Sequence, residues 1–181
     1  MSLETARAHL AKWGRDKDIR IFDTSSATVE LAAAALGVAP ARIAKTLGFR
    51  HDDQAMLIVA AGDARTDNAR FKAQFGFKPR MLRAEEVLAF TGHAVGGVCP
   101  FGLPHPLPVW LDESLKRFET VFPGCGDDHS AIELRLDELL LLAGAQGWVD
   151  VCKDWTGAME READASSASG AVLQPMGQEG I

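Results

Sequence analysis

Two stretches of this 181-residue chain carry residue types that could do chemistry. The first is a lone cation in an apolar run, Ile43-Ala44-Lys45-Thr46-Leu47-Gly48-Phe49. If Ile43, Leu47 and Phe49 face a core, period-two strand geometry puts Lys45 on the same inward side. A buried ammonium is costly, so Lys45 either bends outward at a strand end or stands in a cavity where it can meet an anionic or carbonyl group. The second is the loop from Thr91 to Pro104, with glycines at 92, 96, 97 and 102 and prolines at 100 and 104. It reads either as a tight helix-to-strand turn or as a rigid loop whose amides grip a carbonyl or carboxyl-type oxygen.

Other constellations are weaker. Cys99 and His93 share the glycine loop, but their spacing specifies no oriented thiol and imidazole pair. Asp127-Asp128-His129 are adjacent on one loop, and neighbours of that kind rarely supply convergent ligands, so no metal is expected. No Gly-x-Gly-x-x-Gly and no Walker-type Gly-Lys-Ser/Thr is present, which argues against dinucleotides and nucleoside triphosphates. No cofactor is expected. Trp13, Trp110, Trp148 and Trp155 fall mostly in apolar context and suit a core better than base stacking.

The elements that must position these residues can be read in order. Apolar spacing predicts a helix over 3–13, a half-buried strand over 18–23, and an alanine-rich helix from Ser26 to a cap at Gly37. Strands over 43–49 and 55–61 pair across a polar hairpin, His51-Asp52-Asp53-Gln54. Thr66 or Asp67 caps a helix through Phe75, a short strand covers 78–82, and a helix over 84–90 delivers the chain into the glycine loop. Strands at 107–111, 118–122, 131–136 and 148–151, a turn-rich loop at 123–130 and a leucine-rich helix at 137–143 complete the set. Helices do not follow every strand, so a mixed α/β fold is expected rather than a doubly wound parallel sheet. One domain over residues 1–157 and a polar tail over 158–181 account for the length.

Charge and composition narrow the partners. Apolar residues are 47% and charged residues 24%, an ordinary globular balance, and no apolar run approaches a membrane span. The start shows no basic segment leading into an apolar one, so a cytoplasmic address is expected. Three widely spaced cysteines, Cys99, Cys125 and Cys152, argue for reduced thiols. The net charge of −6 excludes indiscriminate coating of nucleic acid, and DNA is not an expected partner. Yet Arg65, Arg70, Lys72, Lys78, Arg80 and Arg83 stand against a single acid, Asp67, within 65–83, giving a local patch able to contact a few phosphates or to serve as a solvated face.

Together, Ala44-Lys45-Thr46-Leu47, Ala61-Gly62-Asp63, Thr91-Gly92 followed by Gly96-Gly97-Val98-Cys99-Pro100-Phe101-Gly102, and Trp110-Leu111-Asp112 resemble the YbaK/EbsC family over roughly residues 18–152. Its members are trans-acting aminoacyl-tRNA deacylases, similar to the editing domain of bacterial prolyl-tRNA synthetases. The resemblance implies a curved, largely antiparallel mixed sheet forming a barrel-like pocket with helices around it. It also implies hydrolysis of a mischarged tRNA carrying a small amino acid of the Cys, Ala or Ser type, with prolyl-tRNA synthetase as a possible partner.

On that basis Lys45 holds substrate, and the amides of Gly97, Val98 and Cys99 are the candidate oxyanion donors. Gly96, Pro100, Phe101, Gly126 and His129 are candidate contacts for the aminoacyl group, and Arg65, Arg70 and Lys72 for tRNA. Asp127-Asp128 departs from the small or basic residues common there in relatives, and would repel phosphate. Two other classes of function stand beside the enzyme: a noncatalytic module associated with a synthetase or tRNA, and a sensor of small amino acids.

Overall fold

A computed structural model describes residues 2–155; the expected tail at 158–181 lies outside the described residues. Among the described residues there are five helices and ten strands, built around one long hairpin. Its arms are β2 (Ile43–His51) and β3 (Gln54–Ala61), joined through Asp52 at φ 51°. β3 is buried from Ala55 to Ala61, which explains its unbroken apolar sequence: a central strand covered on both faces has no solvent side to mark.

The sheet grows outward from this hairpin in the order β8-β6-β2-β3-β5-β9. The added strands are β5 (Val109–Asp112), β6 (Thr120–Pro123), β8 (Leu134–Arg135) and β9 (Trp148–Val149). β6 runs parallel to β2, and β5 and β9 continue in parallel beyond β3. The longest ladder is the antiparallel hairpin, so the sheet is mixed, and it curls into a half-barrel. Two further antiparallel pairs flank it, β1 (Arg20–Ile21) with β7 (Ser130–Ala131), and β4 (Arg65–Thr66) with β10 (Cys152–Lys153).

Helix ends follow local chemistry closely. α1 spans Ser2–Ala11 and buries Ala6 and Leu10. α2 (Val29–Leu36) starts at Thr28, whose side chain accepts from Leu31 N, and stops at the left-handed Gly37. α3 (Asn68–Phe75) is capped by Asp67, α4 (Ala84–Thr91) ends on Gly92, and α5 is Leu136–Leu142. Among the described residues no helix is long and apolar enough to cross a membrane.

Four expected elements differ. The strand at 18–23 shrinks to two residues and leaves Ile21 exposed, because its partner β7 is equally short. The segment 78–82 is no strand: it touches β2 through the single bridge Phe49↔Met81, and Pro79 lacks the amide a ladder needs. The strands at 131–136 and 148–151 each resolve into two-residue pieces or a turn. The three cysteines are free and buried, as reduced thiols should be in a core.

Candidate functional site

The site begins at the exit of β3. Gly62 there has no room for a side chain, since a Cβ would lie 2.1 Å from Pro40 O. The turn that follows is held by a fork: Arg117 donates from Nη2 to Asp63 Oδ1 at 2.5 Å and from Nη1 to Asp63 Oδ2 at 2.9 Å. This arrangement aims the carbonyls of Gly62 and Ala64 at β2, where Lys45 Nζ donates to Gly62 O at 3.2 Å and also to Ala64 O. Lys45 is thus inward and half-buried, in register with Ala60. Burial draws its ammonium below the ordinary value, with Cys152 and Asp63 opposing that shift and Arg65 adding to it.

The glycine loop forms the facing wall. Gly92 leaves α4 at φ 71°, and His93, fully buried, then braces the loop by donating from Nε2 to Phe101 O at 2.7 Å. His93 N donates to Thr91 Oγ1, which itself donates to Val87 O, so the helix end and the loop share one hydrogen-bonded knot. Gly97 lies directly on the second turn-rich loop: a Cβ would meet Asp127 Cα and Gly126 O at 2.7 Å each. Side-chain-free contact between two backbones is what glycine supplies here.

A cavity of about 280 Å³ opens between these walls, lined by Lys45, Thr46, Gly96, Gly97, Val98 and Asp127 among others. The structure therefore brings together four residues picked out from the sequence: Lys45, Gly96, Gly97 and Val98. The Gly97 amide is not a free donor, because it is already given to Ala94 O at 3.0 Å. The amide of Val98, which lines the cavity, has no acceptor among the described residues and is a donor this loop can offer, whereas Cys99 is fully buried and outside the lining.

Other expected contacts do not line this cavity. The Cys99 thiol is buried 3.4 Å from His93 Nε2, and burial pushes it up to about 12, so it stays protonated and is no nucleophile. Pro100 is buried, and Phe101 is a core ring beside His9 with 5.7 Å between centroids. Gly126 packs on α1, where a Cβ would strike Ser2 O at 2.2 Å, and it borders a second cavity with Ser2, Glu4 and Asp128. His129 pairs through Nδ1 with Asp128 Oδ1 at 2.8 Å, and that bond is the chief reason the Asp128 carboxyl sits below its ordinary value.

The acidic pair is engaged by its own loop and by Ser25. Asp127 Oδ1 accepts from His129 N and Ser130 Oγ, and Asp128 Oδ2 accepts from Ser25 Oγ. The basic segment is partly neutralised too. Arg70 donates to Asp150 and to Cys152 O, and Arg80 pairs with Glu86. Arg65 on β4 faces Lys153 across a two-residue ladder, and Lys72 is exposed on α3.

Sequence reasoning passed over three contributors. The Arg117 and Asp63 fork is invisible because its members are 54 positions apart. His93 acts as a brace, signalled only by its place inside the glycine loop. Thr46 lines the cavity beside Lys45, and its neighbour was the only signal available.

With this geometry established, comparison with known proteins is informative. The family described as "Aminoacyl-tRNA editing domain" matches residues 23–142. A Bacillus subtilis protein, YwhH, named as uncharacterized, is 57% identical over 156 residues, covering 86% of this chain and 99% of that one. EbsC of Enterococcus faecalis, named as a candidate Cys-tRNA(Pro)/Cys-tRNA(Cys) deacylase, is 28% identical over 121 residues, 66% of this chain and 74% of its own. A crystal structure described as that of a candidate trans-editing enzyme for prolyl tRNA synthetase superposes with a TM-score of 0.77 at 31% identity, covering 84% of this chain and 98% of the other.

Proposed function

This chain belongs to the aminoacyl-tRNA editing domain family, in its YbaK/EbsC branch, and from that premise we propose that it is a trans-acting hydrolase of mischarged tRNA. Its substrate is the ester of a small amino acid, of the Cys, Ala or Ser type, on the tRNA 3′ end, with tRNA(Pro) the carrier. The observation that supports this most directly is the joining of Lys45 and the Gly96–Gly97–Val98 wall in one cavity of about 280 Å³. That is enough space for a short side chain and an ester, and small for anything larger.

The chemistry asked of the protein is modest. An aminoacyl ester is already activated, so hydrolysis needs orientation and donors aimed at the developing oxyanion more than a strong base. Lys45 has three N–H donors and gives two to protein carbonyls, leaving one for the substrate. The amide of Val98 faces the acyl oxygen, while the nucleophile is a water or a group on the substrate itself. Arg65 and Lys72 contact tRNA phosphates near the acceptor end. Such a reaction takes place in the cytoplasm, where aminoacyl-tRNA is made, beside prolyl-tRNA synthetase.

Purified protein incubated with a panel of mischarged tRNAs tests the reading. Release of free amino acid from at least one small aminoacyl ester is the expected result. Binding without release would make the chain a noncatalytic module, and binding of a free amino acid alone would make it a sensor.

A further inference from the structure

Two buried side-chain polar atoms among the described residues lack a hydrogen-bond partner, Thr46 Oγ1 and His93 Nδ1. Of the two residues, Thr46 lines the cavity. A buried hydroxyl left unpaired carries a desolvation penalty that a ligand with a matching polar group removes. The main chain at the same position is also unpaired. Gly48 O accepts from Leu82 N at 3.0 Å and Arg50 N donates to Arg80 O at 2.8 Å, so these two residues of β2 turn their polar groups away from β3. Strand alternation turns those of Thr46 the same way. Yet β6 pairs with β2 only at Ile43 and Ala44, and the 80–82 segment reaches no further back than Gly48. Thr46 stands in the gap between them, an open strand edge in the cavity wall.

We infer that Thr46 is the residue that reads the aminoacyl group and sets its identity. Its carbonyl accepts from the substrate's α-ammonium and its amide donates to the acyl carbonyl, as if the substrate added one residue to the strand edge. Its hydroxyl pairs with a hydroxyl on the substrate side chain. Gly48, the next residue on that face, makes room for Leu82, since a Cβ there would meet Leu82 Cδ1 at 2.7 Å. The consequence is an order of preference among small esters: serine first, cysteine second because a thiol bonds weakly, alanine last. This inference rests on the deacylase reading and narrows it to a substrate class.

The test compares kcat/KM of the full chain on tRNA(Pro) charged with serine, cysteine or alanine, in wild type and Thr46→Val. Wild type should favour seryl over alanyl ester by about tenfold or more, and the near-isosteric valine should lower the seryl rate far more than the alanyl rate. Valine suits a strand and removes an unpaired hydroxyl, so the ligand-free variant should melt no lower than wild type. A seryl-to-alanyl ratio unchanged by Thr46→Val, or a wild-type preference for alanine, would overturn the inference. If wild type cleaves no ester, the deacylase reading fails, and Thr46 is judged by binding instead. Non-hydrolysable 3′-serylamido- and 3′-alanylamido-adenosine should then shift the Thr46 amide resonance, the seryl compound binding tighter. No shift at Thr46, or equal affinities, sinks the idea.

Discussion

Lys45 commits two donors to Gly62 O and Ala64 O, so its ammonium is held in one place before any substrate arrives. That placement is the advantage of a preorganised donor: no reorganisation is needed as charge develops. Lys45→Ala should lower kcat/KM by about 100-fold or more, in line with the loss of a single aimed donor. The two carbonyls would lose a charged partner, a cost on the order of 1–2 kcal/mol, or roughly 2–8 °C in Tm, with native circular dichroism. Turnover near that of wild type would show that the cation serves the fold alone. Lys45 was legible in the sequence because one cation in an alternating apolar strand has only two places to go. Thr46 was not, because its significance depends on which strand fails to pair beside it.

At the scale of elements, the site is a meeting of two loops and a strand edge. The loop after α4 and the loop after β6 touch at Gly97 and Asp127 without a side chain between them. Gly97→Ala puts a methyl 2.7 Å from Asp127 Cα, and backbone cannot swing aside as a flexible side chain can. The variant should lose about 1–3 kcal/mol of stability and most of its deacylation rate, read from denaturant unfolding and single-turnover assays. Wild-type stability together with full rate would mean that the loops are not in contact in solution. α1 supports the same arrangement from behind, since both Gly102 and Gly126 lie against its backbone. The glycine loop was legible from composition, and the cap at Gly37 from position. The support from α1 was not, because a helix does not announce which loop it will underlie.

At the scale of the molecule, charge and burial set the response to solvent. Arg65 and Lys72 carry no carboxylate partner among the described residues, whereas Arg70 is tied to Asp150. Arg65→Ala and Lys72→Ala should therefore flatten the dependence of log K on log[salt] for tRNA binding by about 0.7 each, and Arg70→Ala by less. An unchanged slope would move the tRNA contact to another face. Burial also raises all three thiols, Cys99 and Cys152 to about 12 and Cys125 well above the ordinary 9.0. A group whose folded value is raised stabilises fully below its unfolded value and loses that contribution as pH climbs toward the folded one. Stability should thus decline from about pH 9 upward, with thiol-specific reagent reacting only as the protein unfolds. Reaction of a thiol in the native state at neutral pH would show that the core is open there.

Apolar alternation, cap residues and glycine clustering are local properties of a chain, and they alone determined the strands of the central hairpin, the helix ends and the two loops that could present amides. They also singled out one cation in an apolar strand, which the structure turned inward. What pairs with what is a matter of distant segments arriving side by side. Only the tertiary structure decided that Arg117 would fork onto Asp63 across 54 positions, that His93 would brace the loop through Phe101 O, and that Phe101 would sink into the core. Only it decided that the edge of β2 would stay open at Thr46, because an unpaired edge is defined by the neighbours that stop short of it.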